Sequence, residues 1–210
     1  MSGFSDDGQW WWDGRDWVAT SQVLIPDLPP SDRAMELEPQ VRRYQFLDHA
    51  NLASGLTWWA GDGLSGPLVL LWLVFQKRAF RAYREWAIEQ FKTAANYLLG
   101  PNEPVLAAEA GLFTEVVIGW VWGGYGVVVT AGHVLIIAND SGLGHPRRVL
   151  LAAHPEQVVM RPHAGGILNA YPTILVSVGG QTWPIRGMNR VIKTEPVITA
   201  WWRLANAARV

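Results

Sequence analysis

The sequence predicts an α+β protein: a small N-terminal Trp-rich β-hairpin, a helical pair, and an antiparallel β-sandwich or barrel capped by a C-terminal helix. Three observations predict it. Two Asp-Gly pairs bracket an aromatic run near the N-terminus, a helical apolar pattern fills the middle, and from Pro104 onward short apolar runs alternate with Gly, Pro, Asn and Asp.

The first segment, residues 1–24, reads Asp7-Gly8-Gln9-Trp10-Trp11-Trp12-Asp13-Gly14-Arg15-Asp16-Trp17. Glycine supplies the positive φ that tight turns demand, so a small β-meander is expected. It carries more tryptophan than one face of so short a unit can hold, and a hairpin this small does not stabilise itself. Some of its aromatic surface must therefore dock, either on the protein's own body or on a partner. Trp10, Trp11, Trp12 and Trp17 are the candidate partner-binding residues.

Residues 25–38 contain Pro26, Pro29, Pro30 and several acidic side chains, and read as a linker, partly in polyproline II. Residues 39–99 become helical, with Val41, Tyr44 and Leu47 at helix spacing and a break expected at Gly61-Asp62-Gly63. A second helix is expected to start near Pro67 and to end at Gly100-Pro101. Its first part, Leu68 to Phe75, is uniformly apolar but much shorter than the roughly 20 residues that span a bilayer. Three readings fit: a buried core helix, a helical hairpin dipping into a membrane, and an interfacial helix. Trp58, Trp59 and Trp72 are amphipathic anchors of the kind found at headgroup level, and Lys77, Arg78, Arg81 and Arg84 suit anionic lipid. The same cations would also serve as the solvated face of a helix whose stripe, Phe80, Tyr83, Ala87, Phe91, Ala94 and Leu98, packs on another element.

Residues 100–210 show period-two character. Val127 to Thr130, the turn Ala131-Gly132 and His133 to Ile137 read as a hairpin. Further strands are expected at 148–152, 157–161, 173–178 and 181–185, and a helix from Glu195 to Ala208.

Composition narrows the function classes. The chain has 210 residues, half of them apolar, with 17 basic against 18 acidic side chains, so it lacks the basic footprint of a nucleic-acid binder. With no cysteine, disulfides, thiolate metal sites and cysteine nucleophiles are excluded. The acidic start, Met1 to Trp17, has no apolar core of a signal peptide. His49, His133, His145, His154 and His163 form no dense metal motif, although the last three recur every nine residues on expected strands. Ser141 lies in no nucleophile elbow, Gly123-Gly124-Tyr125-Gly126 precedes a strand rather than a helix, and Glu103, Glu109, Glu115, Asp140 and Glu156 are scattered. No catalytic, metal or cofactor site is expected, and the chain reads as a non-enzyme.

From Leu99 onward a Gly-Pro-Asn-Glu-Pro-Val-Leu lead-in, a strand into Tyr125 to Thr130, a turn, His133 to Ile137, further strands and a helix carrying Trp201 and Trp202 follow in order. This order resembles the bacterial pleckstrin-homology-like domains, in which His133 stands where a basic residue usually follows the threonine turn. The resemblance implies a bent seven-stranded sheet capped by the C-terminal helix, and binding of lipids, peptides or proteins. Trp11, Trp12, Asp13, Gly14 and Trp17 also resemble a short actinobacterial N-terminal motif, W-W/Y-D-G-x-x-W. In such proteins it often precedes a proline-containing linker and a membrane segment, the order found in this chain.

Together these readings describe a non-enzymatic adaptor at the cytoplasmic face of the cell membrane, binding an unidentified protein partner and anionic lipid, with no cofactor and no nucleic acid. The alternative is a soluble cytoplasmic structural or assembly subunit, of a kind phages encode, in which the apolar helix forms a homo-oligomer core.

Overall fold

The computed structural model describes residues 3–42, 66–100, 102–111, 125–139, 145–165, 171–186 and 194–207, and for 66–80, 164–165, 171–173, 186 and 194 the backbone alone. The chain is α+β, and its described residues form three antiparallel sheets and three α-helices. Strands β1 (Gly3–Phe4), β2 (Trp10–Trp12) and β3 (Trp17–Ala19) form the first sheet, a meander. Helix α1 covers 32–42, and α2 runs from Gly66–Leu99. A four-stranded meander follows: β4 (Val105–Ala110), β5 (Tyr125–Thr130), β6 (Val134–Asn139) and β7 (Pro146–Ala153). Strands β8 (Val159–Gly165), β9 (Tyr171–Val178) and β10 (Gln181–Arg186) make a three-stranded meander, and α3 (Thr194–Ala207) closes the chain. Among the described residues the seven strands after Leu99 fall into two sheets, of four and three strands, before the closing helix, where the resemblance implied one bent seven-stranded sheet. Val105–Ala110 is a strand of its own rather than the start of one long strand into Tyr125.

The four-stranded sheet is apolar on both faces because both are covered. In β5, Val127 and Val129 face the three-stranded sheet and α3, packing with Met160, Ile174, Val176, Ile185 and Val197. Val128 points the other way, with Leu135, Ile137 and Val149, into a second cluster formed with α2, α1 and the N-terminal segment. Strands buried on both sides read as unbroken aliphatic runs, which is why 127–129 and 134–137 show no polar alternation.

Helix α2 buries Tyr83, Trp86, Ala87, Phe91, Ala94, Ala95 and Leu98 against this sheet. Five of these belong to the predicted stripe; the side chain of Phe80 is outside the description. Gly126 lies directly beneath the Phe91 ring, where any Cβ would collide with it. At the helix end Gly100 adopts φ +77°, and its N–H closes on the Asn96 carbonyl at 2.9 Å. One charged pair crosses the contact: Arg84 Nε and Nη2 donate to the two Glu109 carboxylate oxygens at 2.6 and 2.5 Å, with Glu109 fully buried.

Residues 25–38 are not a free linker. Val23 and Ile25 are buried while Leu24 points to solvent, and the Ile25 N–H donates to the Arg147 carbonyl at 2.8 Å as the Val149 N–H does to Val23 at 3.3 Å. These residues pair along the otherwise open edge of β7. Helix α1 then begins at residue 32, several positions before the expected helical region, because Ser31 Oγ accepts the Ala34 N–H at 3.2 Å and caps the first turn. Composition marked the prolines of this stretch but not the period-two pattern just before them or the Ser-Asp cap just after.

Candidate interaction site

The N-terminal meander is built by its two aspartates and two glycines. The Asp7 carboxylate accepts the Ser5 hydroxyl at 2.6 Å and the Gln9 N–H at 3.0 Å, and Gly8 turns the chain at φ +68°. Asp13 accepts the Arg15 and Asp16 N–H groups at 2.7 and 2.8 Å, with Gly14 at φ +104°. The Ser5 hydroxyl and the Gln9 N–H hold the Asp7 carboxyl below the usual carboxylate range. The Asp16 and Arg15 N–H groups do the same for Asp13. Both stay ionised well into acid.

Three consecutive tryptophans on a strand must alternate in direction. Trp11, with its cross-strand neighbours Phe4 and Val18, faces the body and packs on the α2 cluster. Its indole N–H donates to the Leu98 carbonyl at 3.3 Å, satisfying one of the acceptors that the last turn of a helix leaves open. Gly8 is buried where a Cβ would run into the Ala152 carbonyl, so glycine also permits the first turn to sit directly on β7. The Thr20 hydroxyl donates to the Gly8 carbonyl at 2.7 Å and fixes the far end.

Trp10, Trp12 and Trp17 occupy the opposite, outer face. Trp12 pairs with Trp17 across β2 and β3, their rings 5.6 Å apart at 55°. Trp10 is 47% exposed and Trp17 53%. In the two turns of the meander Asp6, Asp7, Asp13 and Asp16 are all exposed, with Arg15 the one cation between residues 3 and 19. None of the four aspartates makes an ion pair among the described residues.

Beside the meander lies a polar cluster that the sequence did not reveal. Glu103 Oε1 accepts the Gly132 N–H at 3.1 Å, the Thr130 hydroxyl, and His133 Nδ1 at 2.8 Å. The His133 N–H in turn donates to Thr130 Oγ1 at 3.0 Å. His154 stacks on His133 at 5.1 Å and points Nδ1 at the Gly132 carbonyl, 3.0 Å away, while Phe4 of the meander packs on His133 at 5.8 Å. Burial pushes the Glu103 carboxyl up, but the hydrogen bonds from His133, Thr130 and Gly132 outweigh it and hold the group below the usual range. The Thr130 hydroxyl has Glu103 and the His133 carbonyl as acceptors and its oxygen takes the His133 main-chain N–H, so the arrangement locks the β5–β6 turn. A Thr-Ala-Gly-His turn hints at such a lock, but its acceptor, Glu103, lies 27 residues before Thr130.

The other expected site residues separate. Trp58, Trp59, His49 and the Gly61-Asp62-Gly63 break lie outside the described residues, as do the side chains of Trp72, Lys77 and Arg78. Arg81 is exposed. Arg84 is not part of a lipid-facing cationic set: only 14% of its side chain is exposed, and its guanidinium is spent on Glu109. The three histidines at nine-residue intervals do not converge. His145 meets the edge of Trp86 at 5.3 Å, His154 joins His133, and His163 is exposed. No group of three or more metal-ligating side chains occurs among the described residues, and no helix among them is long and apolar enough to cross a membrane.

No known family model matches this chain, and no curated protein matches it. Among solved structures it is similar to a DUF1696 family protein with a pleckstrin-homology domain from Shewanella loihica PV-4. The identity is 11% and the TM-score 0.37, over 56% of this chain and 92% of that one.

Proposed function

We propose that this protein is a non-enzymatic adaptor, in which a pleckstrin-homology-like β body presents the tryptophan face to a protein partner and is held at the cytoplasmic face of the cell membrane. The observation that carries the reading is the outer face of the meander. Trp10 and Trp17 stand half in solvent on one face with the partly buried Trp12, while Trp11 and Gly8 seat the unit on the body and the Thr20–Gly8 hydrogen bond ties its ends together. Grouped exposed aromatics on a fixed surface are the mark of a docking site. The membrane part rests on the sequence of α2, whose apolar Leu68 to Phe75 leads into Lys77, Arg78 and Arg81 within one helix. An apolar run followed at once by cations suits contact with an anionic membrane surface.

Two measurements test the two parts. Flotation of the full chain with vesicles containing phosphatidylglycerol should carry it upward, and Lys77→Glu/Arg78→Glu/Arg81→Glu should abolish this. A discrete detergent-free oligomer that ignores vesicles would replace the membrane reading with that of an assembly subunit. For the partner, a photo-crosslinking amino acid at position 17 should give a discrete adduct in cells, and none at position 17 or 10 would remove the docking face from the account.

A further inference from the structure

The outer face of the meander combines two features that together specify its occupant. We infer that it takes an extended, cationic segment of a protein partner, reading arginine or lysine side chains on its tryptophan rings; the inference rests on the reading of that face as a docking surface.

The first feature is electronic. A ring face of tryptophan is the strongest aromatic seat for a cation, and Trp17, half in solvent, stands beside Trp12 with ring centroids 5.6 Å apart. The second is charge. Four exposed aspartates lie in the two turns of the meander, Asp13 and Asp16 adjoining Trp12 and Trp17 in sequence, against one arginine, and none is neutralised by an ion pair among the described residues. An acidic rim adds attraction for a cation and repels an acidic or phosphorylated segment, so a purely apolar partner would leave half of the surface unused.

The geometry also fixes the shape of the occupant. Trp10 and Trp12 are two residues apart on one strand, hence about 7 Å apart on one face. Alternate side chains of an extended peptide repeat at the same interval, so a segment lying along β2 would set successive cations over successive rings. A helical segment would match it less well, since its same-face neighbours lie about 5–6 Å apart.

The full chain would be titrated into dye-labelled peptides of alternating arginine and serine, glutamate and serine, or leucine and serine, with binding read by fluorescence anisotropy. The arginine peptide should bind, with affinity falling as salt rises, and the glutamate and leucine peptides should bind at least roughly fivefold more weakly. Trp17→Ala should weaken arginine-peptide binding by a similar factor. Asp6→Asn/Asp16→Asn, which touches neither of the side chains that form the turns, should weaken it and flatten the salt dependence. Unchanged melting curves for both variants would show that the fold is intact. Leucine-peptide binding as tight as arginine-peptide binding would overturn the cation chemistry while leaving the docking face standing. Arginine-peptide binding indifferent to Trp17→Ala, or no binding by any peptide, would overturn it as well. The docking face itself falls only if crosslinking from positions 10 and 17 also gives no adduct.

Discussion

The two faces of the four-stranded sheet are buried to the same degree but by different parts of the chain. One is covered by β8 to β10 and α3, which follow it in sequence, through Met160, Ile174, Val176 and Ile185. The other is covered by what precedes it: α2 through Phe91 and Leu98, α1 through Ala34, Leu37 and Val41, and the meander through Phe4, Trp11 and Val18. Without that cover Val128, Leu135, Ile137 and Val149 would face water. The segments before Gly100 are therefore walls of the same core, and the tryptophan meander is bonded to the body rather than tethered to it.

Breaking the Arg84–Glu109 pair should do the most damage to the helix-covered face. Arg84→Met would leave the buried Glu109 carboxylate without its guanidinium and cost about 3–5 kcal/mol by urea unfolding, whereas Arg84→Met/Glu109→Leu should recover most of that loss. A single variant near wild type would mean that Glu109 reaches solvent. Next come matched cavities on the two faces. Phe91→Ala on the α2 side should cost about 3–5 kcal/mol, and Ile174→Ala on the other about 2–5 kcal/mol. Far-ultraviolet and tryptophan signals should remain coincident in both. An earlier separate loss of helix signal in Phe91→Ala would show that α2 is an independent unit and sink the idea of a shared core.

A smaller effect concerns the seam between meander and sheet. Glu103 is held below its ordinary value, so it contributes stability that is fully present above the unfolded glutamate pKa of about 4.3. That contribution is lost as pH falls through the lower folded value. Wild type should lose stability across this acid window faster than Glu103→Gln, and parallel acid limbs for the two proteins would dismiss the role given to Glu103. Smallest is Trp17→Ala, expected to change stability by no more than about 0.5 kcal/mol because the ring is half in solvent. A loss comparable to that of Trp11→Ala would mean that the outer rings are structural and not kept for a partner.

Much of the body was legible in the chain, and the misses have local causes. The β5–β6 hairpin was readable from branched aliphatic residues around a short turn, and the stripe of α2 from its periodicity. The period of two says that Trp11 opposes Trp10 and Trp12, but only the seat of Gly8 on β7 decides which side is inward. Arg84 was grouped with Lys77, Arg78 and Arg81 by charge, yet it sits three residues before Ala87 and seven before Phe91, on the buried stripe. Glu109, a lone acid in an apolar strand, was the signal that a buried partner existed. The Glu103 cluster needed contacts across 30 residues, which no spacing rule supplies.

Helix α2 is continuous for 34 residues, about 50 Å, without a break between its apolar start and the end that receives the Trp11 indole. Such a rod has no joint at which to swivel. Whatever grips the stretch from Leu68 to Phe75 would therefore set not only where the protein sits but which way the three outer rings look, so that placement and aim become a single mechanical variable.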